Sequence, residues 1–139
     1  MHLLDTDTLT HLHAGNSNVA ERLRTLEDPI VGTTIITKIE LLRGRMDYVF
    51  KAAAGTDLLR AQRLLKRTED LLAQLLIVSF SPKAAEEFDR LRSIRSLGKI
   101  GRADLLIASI ALANQAVLVT RNLRHFKQIS GLVVVNWVD

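Results

Sequence analysis

The sequence alternates short apolar runs with longer segments of helical periodicity, and this alternation strongly constrains the fold. Five runs rich in Val, Ile or Leu are bounded by polar or glycine-containing turns, as strands are. They cover residues 2–4, 30–36, 76–80, 116–120 and 133–135. Because strands that are separated by helices form parallel sheets covered on both faces, we expect an α/β fold. The predicted architecture is a three-layer α/β/α sandwich with a central, mostly parallel sheet.

Apolar spacing and turn residues predict the helices. They cover approximately residues 8–13, 19–27, 37–50, 56–74, 82–97, 104–115 and 123–128. Gly55 is expected to separate the third and fourth helices, which would form a helical hairpin insertion at about 46–75 within a single domain of residues 1–139. The apolar face of the fourth helix would consist of Leu58, Ala61, Leu65, Leu72 and Leu75.

Composition excludes several classes of protein. With 47% apolar residues among 139, the chain has enough core-forming side chains to exclude disorder. It contains no cysteine, which excludes a disulfide, a zinc–thiolate site and a thiol nucleophile. The opening MHLLDTDTLT resembles no signal peptide, and no stretch reaches the length of a membrane span. We therefore expect a cytoplasmic protein without membrane contact, whose net charge of +4 is compatible with a polyanionic partner.

Three acids, Asp5, Glu40 and Asp104, occur where an apolar strand gives way to a turn or to the start of a helix. In an open parallel sheet, ligands bind beyond the carboxyl ends of the strands. The predicted fold would therefore bring the three acids together at one edge, with Thr120 following the fourth strand. Clustered carboxylates repel one another unless a cation holds them, so the pattern predicts a site for Mg²⁺ or Mn²⁺ and cleavage of a phosphodiester.

Each acid also has an ordinary structural interpretation. Asp5 and Asp104 could cap the helices that follow them. Glu40 lies three residues after Thr37, which is the spacing of a capping box. The four histidines, His2, His11, His13 and His125, show no metal-ligand spacing and are interpreted as structural or surface residues.

Four segments resemble PIN-domain ribonucleases, and within them the VapC-type toxins of prokaryotic toxin–antitoxin pairs. In chain order they are LLDTDTLT, TTIITKIELLRG, IGRADLLIASIALANQAVLVTRN and RHFKQISGLVVVNW. The resemblance implies a PIN-like α/β/α sandwich and an endoribonuclease that depends on Mg²⁺ or Mn²⁺. It also implies a homodimer, possibly within a larger toxin–antitoxin assembly, and inhibition by a cognate VapB-type antitoxin.

The same resemblance assigns roles to individual residues. The catalytic and metal-binding acids would be Asp5, Glu40 and Asp104. Supporting positions map onto Asp7, Thr37, Thr120 and Asn122. Asp7 stands where the family more often has Asn, and Asn122 where many members carry a fourth Asp. Because Asn brings no charge, we expect one metal ion to bind well and a second to bind weakly.

RNA and protein contacts are expected at two further groups of residues. Arg43, Arg102, Arg121 and Arg124 neighbour the acids in sequence and are candidates for guiding RNA, although ordinary surface charge explains each equally well. Part of the hairpin could bind the antitoxin instead of packing internally. That part consists of Leu58, Leu59, Leu64 and Leu65.

Two other functions fit parts of the sequence. A non-catalytic PIN-like module could bind RNA or a protein partner without cutting, but such a role has no use for costly clustered acids. LLDTDTLT also fits the motif of haloacid-dehalogenase-type phosphatases, with Asp5 as nucleophile and Asp7 as acid/base. That chemistry needs a downstream acidic pair, and no Asp or Glu occurs between Leu105 and Val138.

Overall fold

A computed structural model describes residues 1–139 and contains one parallel sheet of five strands. The strands are β1 (His2–Leu4), β2 (Val31–Thr34), β3 (Leu76–Val78), β4 (Val117–Val119) and β5 (Val133–Val135). Their order in the sheet is β3-β2-β1-β4-β5, so the first strand of the chain lies at the centre. Within it Leu3 pairs with Gly32 on one side and with Leu118 on the other.

Seven α-helices and one short 3₁₀ helix connect the strands. The α-helices are α1 (Thr6–His13), α2 (Ser17–Thr25), α3 (Ile35–Lys51), α4 (Gly55–Ala73), α5 (Pro82–Arg92), α6 (Arg102–Ala113) and α7 (Leu123–Phe126). The 3₁₀ helix covers Arg95–Leu97. None of the helices combines the length and the apolar character needed to cross a membrane.

Two separate apolar clusters cover the two faces of the sheet. Successive strand residues point to opposite faces, and accordingly Leu3 belongs to one cluster whereas Leu4 belongs to the other. The first cluster contains the buried residues of α5 and α6, and the second contains buried residues of α1, α2, α3 and α4. The predicted three-layer α/β/α sandwich with a parallel sheet is therefore confirmed.

Helix α3 begins two residues earlier than predicted, and its cap is a different threonine. The Thr37 amide donates to Thr34 Oγ1 over 3.2 Å, so Thr34 is the N-cap and β2 ends there. The predicted capping box between Thr37 and Glu40 is therefore wrong. The chain offers two threonines at this junction, and only the position of the strand end decides which one caps the helix.

Four other sequence expectations also differ from the structure. Gly101 is the N-cap of α6, so Asp104 is the third helical residue and not its cap. The helix predicted over 82–97 ends at Arg92. In α4, Ala61 and Leu72 are buried as expected, whereas Leu58 is 43% exposed and faces solvent. The α3–α4 turn is formed by residues 52–54, and Gly55 is the first residue of α4.

A close approach between two strands explains the glycine in β2. A Cβ atom added at Gly32 would lie 2.3 Å from the carbonyl oxygen of Leu76 on β3. No side chain fits at that distance, because the neighbour is backbone that is itself part of the sheet. Gly32 therefore permits β3 to pair beside β2, whose carboxyl end leads into α3.

Candidate active site

Asp5 lies at the carboxyl end of β1 and is 6% exposed. Its carboxylate caps α1, since the Thr8 amide donates to Oδ1 over 2.9 Å. Its own amide donates to the carbonyl oxygen of Val119 on β4, which fixes its position between the two central strands. Burial raises the pKa of Asp5 above its ordinary value, although hydrogen bonds from Thr120 and Thr8 oppose the shift.

Asp104 lies in the first turn of α6 and is half-buried. Burial raises the pKa of its carboxyl group, and the negative charges of Asp5 and Glu40 raise it further. The three acids, which are far apart in sequence, are thus near enough for their charges to interact. Asp104 therefore lies within range of the charges of Asp5 and Glu40, and the common metal site expected for the three acids stays a prediction.

Glu40 is held by a threonine that the sequence analysis did not identify. Thr6 Oγ1 donates to Glu40 Oε1 over 2.6 Å and lies 3.1 Å from Thr37 Oγ1. Thr37 itself is fully buried at the start of α3. Thr6 follows Asp5 directly in the chain, so one short segment both contributes a carboxylate and orients another.

A second unexpected residue, His125, lies beside Asp104. Its charge would lower the pKa of Asp104, opposing the effect of the other acids. The Asn122 Nδ2 and His125 Nδ1 atoms are 3.0 Å apart, and the Asn122 amide donates to Thr120 Oγ1 over 3.0 Å. The buried Thr120 therefore connects the end of β4 to the Asn122–His125 pair.

The remaining predicted site residues lie at the surface. Asp7 is exposed in the first turn of α1, where its Oδ1 atom is 3.7 Å from His11 Nε2. Arg43 and Arg124 are exposed on α3 and α7. Arg121 donates to Asp139 over 3.2 Å. The fourth arginine, Arg102, is the first residue of α6, two positions before Asp104.

The donor chemistry of the pocket suits a hard divalent cation. Asp5 and Asp104 provide carboxylate oxygens whose ionised forms are disfavoured by burial, and a cation would compensate that charge. No three histidine or acidic side chains are arranged to hold a metal ion directly. Mg²⁺ needs no such set, because it usually keeps several waters and takes one or two carboxylates. The assignment of all three acids as ligands stays a prediction.

The fold of this chain is shared with known proteins. Residues 2–132 match the PIN domain family, and the chain belongs to it. The resemblance drawn from the sequence is confirmed, and the haloacid-dehalogenase interpretation is excluded.

Two curated relatives of this chain are proteins named ribonuclease VapC2. Ribonuclease VapC2 of Rickettsia felis is 44% identical over 68 residues, which are 48% of this chain and 51% of that protein. Ribonuclease VapC2 of Haemophilus influenzae is 35% identical over 79 residues, 55% of this chain and 60% of that protein. The chain thus spans about half to three-fifths of the length of the curated relatives it matches.

Two solved structures of DNA-bound complexes each contain a chain with the same fold as this protein. The crystal structure of VapBC2 from Rickettsia felis, bound to a fragment of its promoter, superposes with a TM-score of 0.81, 27% identity and 98% coverage of both chains. DNA-bound VapBC from Salmonella typhimurium gives a TM-score of 0.81 and 27% identity, covering 98% of this chain and 97% of that one.

Proposed function

We propose that this protein is a divalent-metal-dependent endoribonuclease that acts in the cytoplasm as the toxin of a type II toxin–antitoxin pair. The observation that carries the proposal is the interaction of the Asp104 carboxyl group with the negative charges of Asp5 and Glu40, a repulsion that a cation would relieve. Membership of the PIN family and similarity to proteins named ribonucleases support it. PIN-domain nucleases generally depend on divalent metals.

Each acid would have a separate part in holding Mg²⁺ or Mn²⁺. Asp5 is fixed at the start of α1 and Asp104 in the first turn of α6, so these two would be direct ligands. Glu40, already held by Thr6, would orient a water in the pocket. When bound, the cation lowers the pKa of water and polarises the scissile phosphate. Thr120 and Asn122 would keep the β4 end of the pocket in place.

RNA cleavage with matched variants tests this proposal. The wild type should cut RNA with Mg²⁺ or Mn²⁺ and lose that activity in EDTA. Asp104→Asn should reduce cleavage by about 100-fold or more, because a metal site supplies several kcal/mol of transition-state stabilisation. Asp47→Asn, which changes an exposed acid on α3, is the control and should keep wild-type activity.

Binding of Mn²⁺ alone provides a readout that does not depend on activity. The wild type should bind Mn²⁺ in a titration, and Asp104→Asn should bind it more weakly. Cleavage that persists in EDTA would contradict the metal dependence. RNA binding without cleavage under any of these conditions would instead favour the non-catalytic binding module.

A cognate VapB-type antitoxin and a homodimeric state belong to the same proposal. The solved structures that share this fold include VapBC complexes. Two leucines of the hairpin support a protein contact there, since Leu58 and Leu59 are 43% and 55% exposed on α4. Leu64 and Leu65 are only partly exposed. Leu59→Asp should weaken binding of the cognate antitoxin without affecting RNA cleavage, and equal affinity would place the contact elsewhere.

A further inference from the structure

An exposed aromatic side chain lies at the same edge of the sheet as the acids. Phe80 is two residues beyond the end of β3 and is 37% exposed. Because β3 pairs in parallel with β2, Phe80 follows the carboxyl end of its strand, as Asp5 does on β1. Strands are about 4.8 Å apart, so the ends of β3 and β1 are separated by about 10 Å.

A second aromatic residue connects Phe80 to two arginines. The rings of Phe80 and Phe88 meet edge to face, with centroids 6.4 Å apart. The guanidinium carbons of Arg102 and Arg92 lie 5.2 and 5.9 Å from the centroid of the Phe88 ring. Both arginines are exposed, and the cation–π contacts restrain their side chains beside the aromatic pair.

Arg102 links this cluster to the acidic pocket. It is the first residue of α6 and Asp104 is the third, so the two are about 3 Å apart along the helix axis and point about 200° apart around it. One helix turn therefore presents a carboxylate to the pocket and a guanidinium to Phe88. The surface formed by Phe80, Phe88, Arg92 and Arg102 is here called the Phe–Arg surface.

We propose that the Phe–Arg surface binds single-stranded RNA beside the cleavage site, with a base stacked on Phe80 and phosphates bound by Arg92 and Arg102. Aromatic faces with neighbouring cations are the features by which proteins hold single strands, because every base has a face to stack and every nucleotide has a charge. The inference rests on the proposed ribonuclease function for its choice of ligand. The inference adds which part of the protein surface holds the RNA strand next to the cleavage site.

Binding of a single-stranded oligoribonucleotide in EDTA tests the surface without cleavage. Phe80→Ala should weaken the affinity about 5- to 150-fold, the range expected for the loss of one base–aromatic stack. Phe50→Ala is the matched control, because Phe50 is 88% exposed at the end of α3, on the hairpin and not at the Phe–Arg surface. That variant should bind RNA as the wild type does.

Two further variants separate stacking from folding. Phe80→Leu keeps an apolar side chain against Phe88 but removes the π-face, so it should lose affinity while its thermal unfolding stays near that of the wild type. Phe80→Trp should keep the affinity and show fluorescence that RNA quenches. The native Trp137 is only 4% exposed and should contribute little to such quenching.

The outcomes distinguish this inference from the proposed function. If RNA is cut but Phe80→Ala and Phe80→Leu bind it as the wild type does, the surface is overturned and the nuclease remains. If binding depends on Phe80 but no metal supports cleavage, the surface remains and the nuclease is overturned. A change in oligomeric state or antitoxin affinity with unchanged RNA affinity would assign the surface to a protein contact and overturn the inference.

Discussion

Asp104 illustrates how the acids that define the pocket also reduce the stability of the metal-free protein. Its pKa in the folded chain lies above the ordinary value of 3.8. Between the pKa of Asp104 in the unfolded chain and its higher pKa in the folded chain, the folded state binds more protons than the unfolded state. The free energy of unfolding therefore falls as the pH rises through this range. Above the folded-state pKa the full cost is present, and a bound cation would offset it.

A thermal unfolding series on Asp104→Asn measures this cost. Without metal at pH 7, the variant should unfold a few degrees higher than the wild type, because an amide carries no charge to bury. The difference should shrink as the pH is lowered towards 4. The Asp47→Asn control should show no such gain. A lower unfolding temperature for Asp104→Asn than for the wild type would show that the carboxylate stabilises the apo fold.

We predict that Asn122 limits the binding of a second cation, because an amide brings no charge. Its amide nitrogen lies 3.0 Å from His125 Nδ1, an arrangement in which Asn122 donates. A carboxylate in its place can only accept, so Asn122→Asp should favour the His125 tautomer with hydrogen on Nδ1. It should also tighten the weaker of two Mn²⁺ affinities. Calorimetric titration of the variant and the wild type checks this, and identical isotherms would remove the position from the metal site.

Gly32 and Gly44 form a matched pair of glycines in β2 and α3. Gly32→Ala should destabilise the protein by about 3 kcal/mol or more, because its Cβ would meet the Leu76 carbonyl and separate two strands. Gly44 lies inside a helix with nothing within 4 Å of an added Cβ. Gly44→Ala should therefore stabilise by about 0.5–1 kcal/mol. Urea unfolding of both variants is the measurement, and similar midpoints would contradict the close approach.

The sequence predicts elements of this fold well and their junctions less well. Apolar runs identify all five strands, because helices cover both faces of the sheet and favour apolar strand residues. The start of α3 was misplaced because Thr34 and Thr37 are equally suitable caps, and only the sheet register decides between them. A helical spacing also placed Leu58 on the buried face of α4, although the hairpin extends beyond the core at that point.

The sequence points to the acids of the candidate site, whose role stays a prediction, but not to the residues that hold them. Asp5 is recognisable because it directly follows an apolar strand, and Asp104 because it lies at the start of an apolar helix. Thr6 was missed because its bond to Glu40 joins residues 34 apart, and nothing in local spacing indicates such a contact. His125 was judged isolated for the same reason, since its approach to Asp104 depends on α6 and α7 meeting at one edge.

The molecule as a whole combines an acidic pocket with a net charge of +4. RNA affinity should therefore fall as salt increases, with a slope of log K against log salt of about −0.7 for each phosphate neutralised on a single strand. Arg102→Gln should reduce the magnitude of this slope by about 0.7. The control is Arg63→Gln, which removes an exposed arginine on α4. A slope unchanged by Arg102→Gln would mean that Arg102 binds no phosphate.

The central position of β1 determines when the sheet can form during translation. Its first residues leave the ribosome early, but its neighbour β4 follows more than one hundred residues later. The sheet cannot close around β1 until then, since pairing between distant segments must wait for the intervening chain. A nascent chain that stops before Val117 has no complete pocket. The candidate site is therefore complete only after most of the chain has been synthesised, so any activity it has begins late in translation.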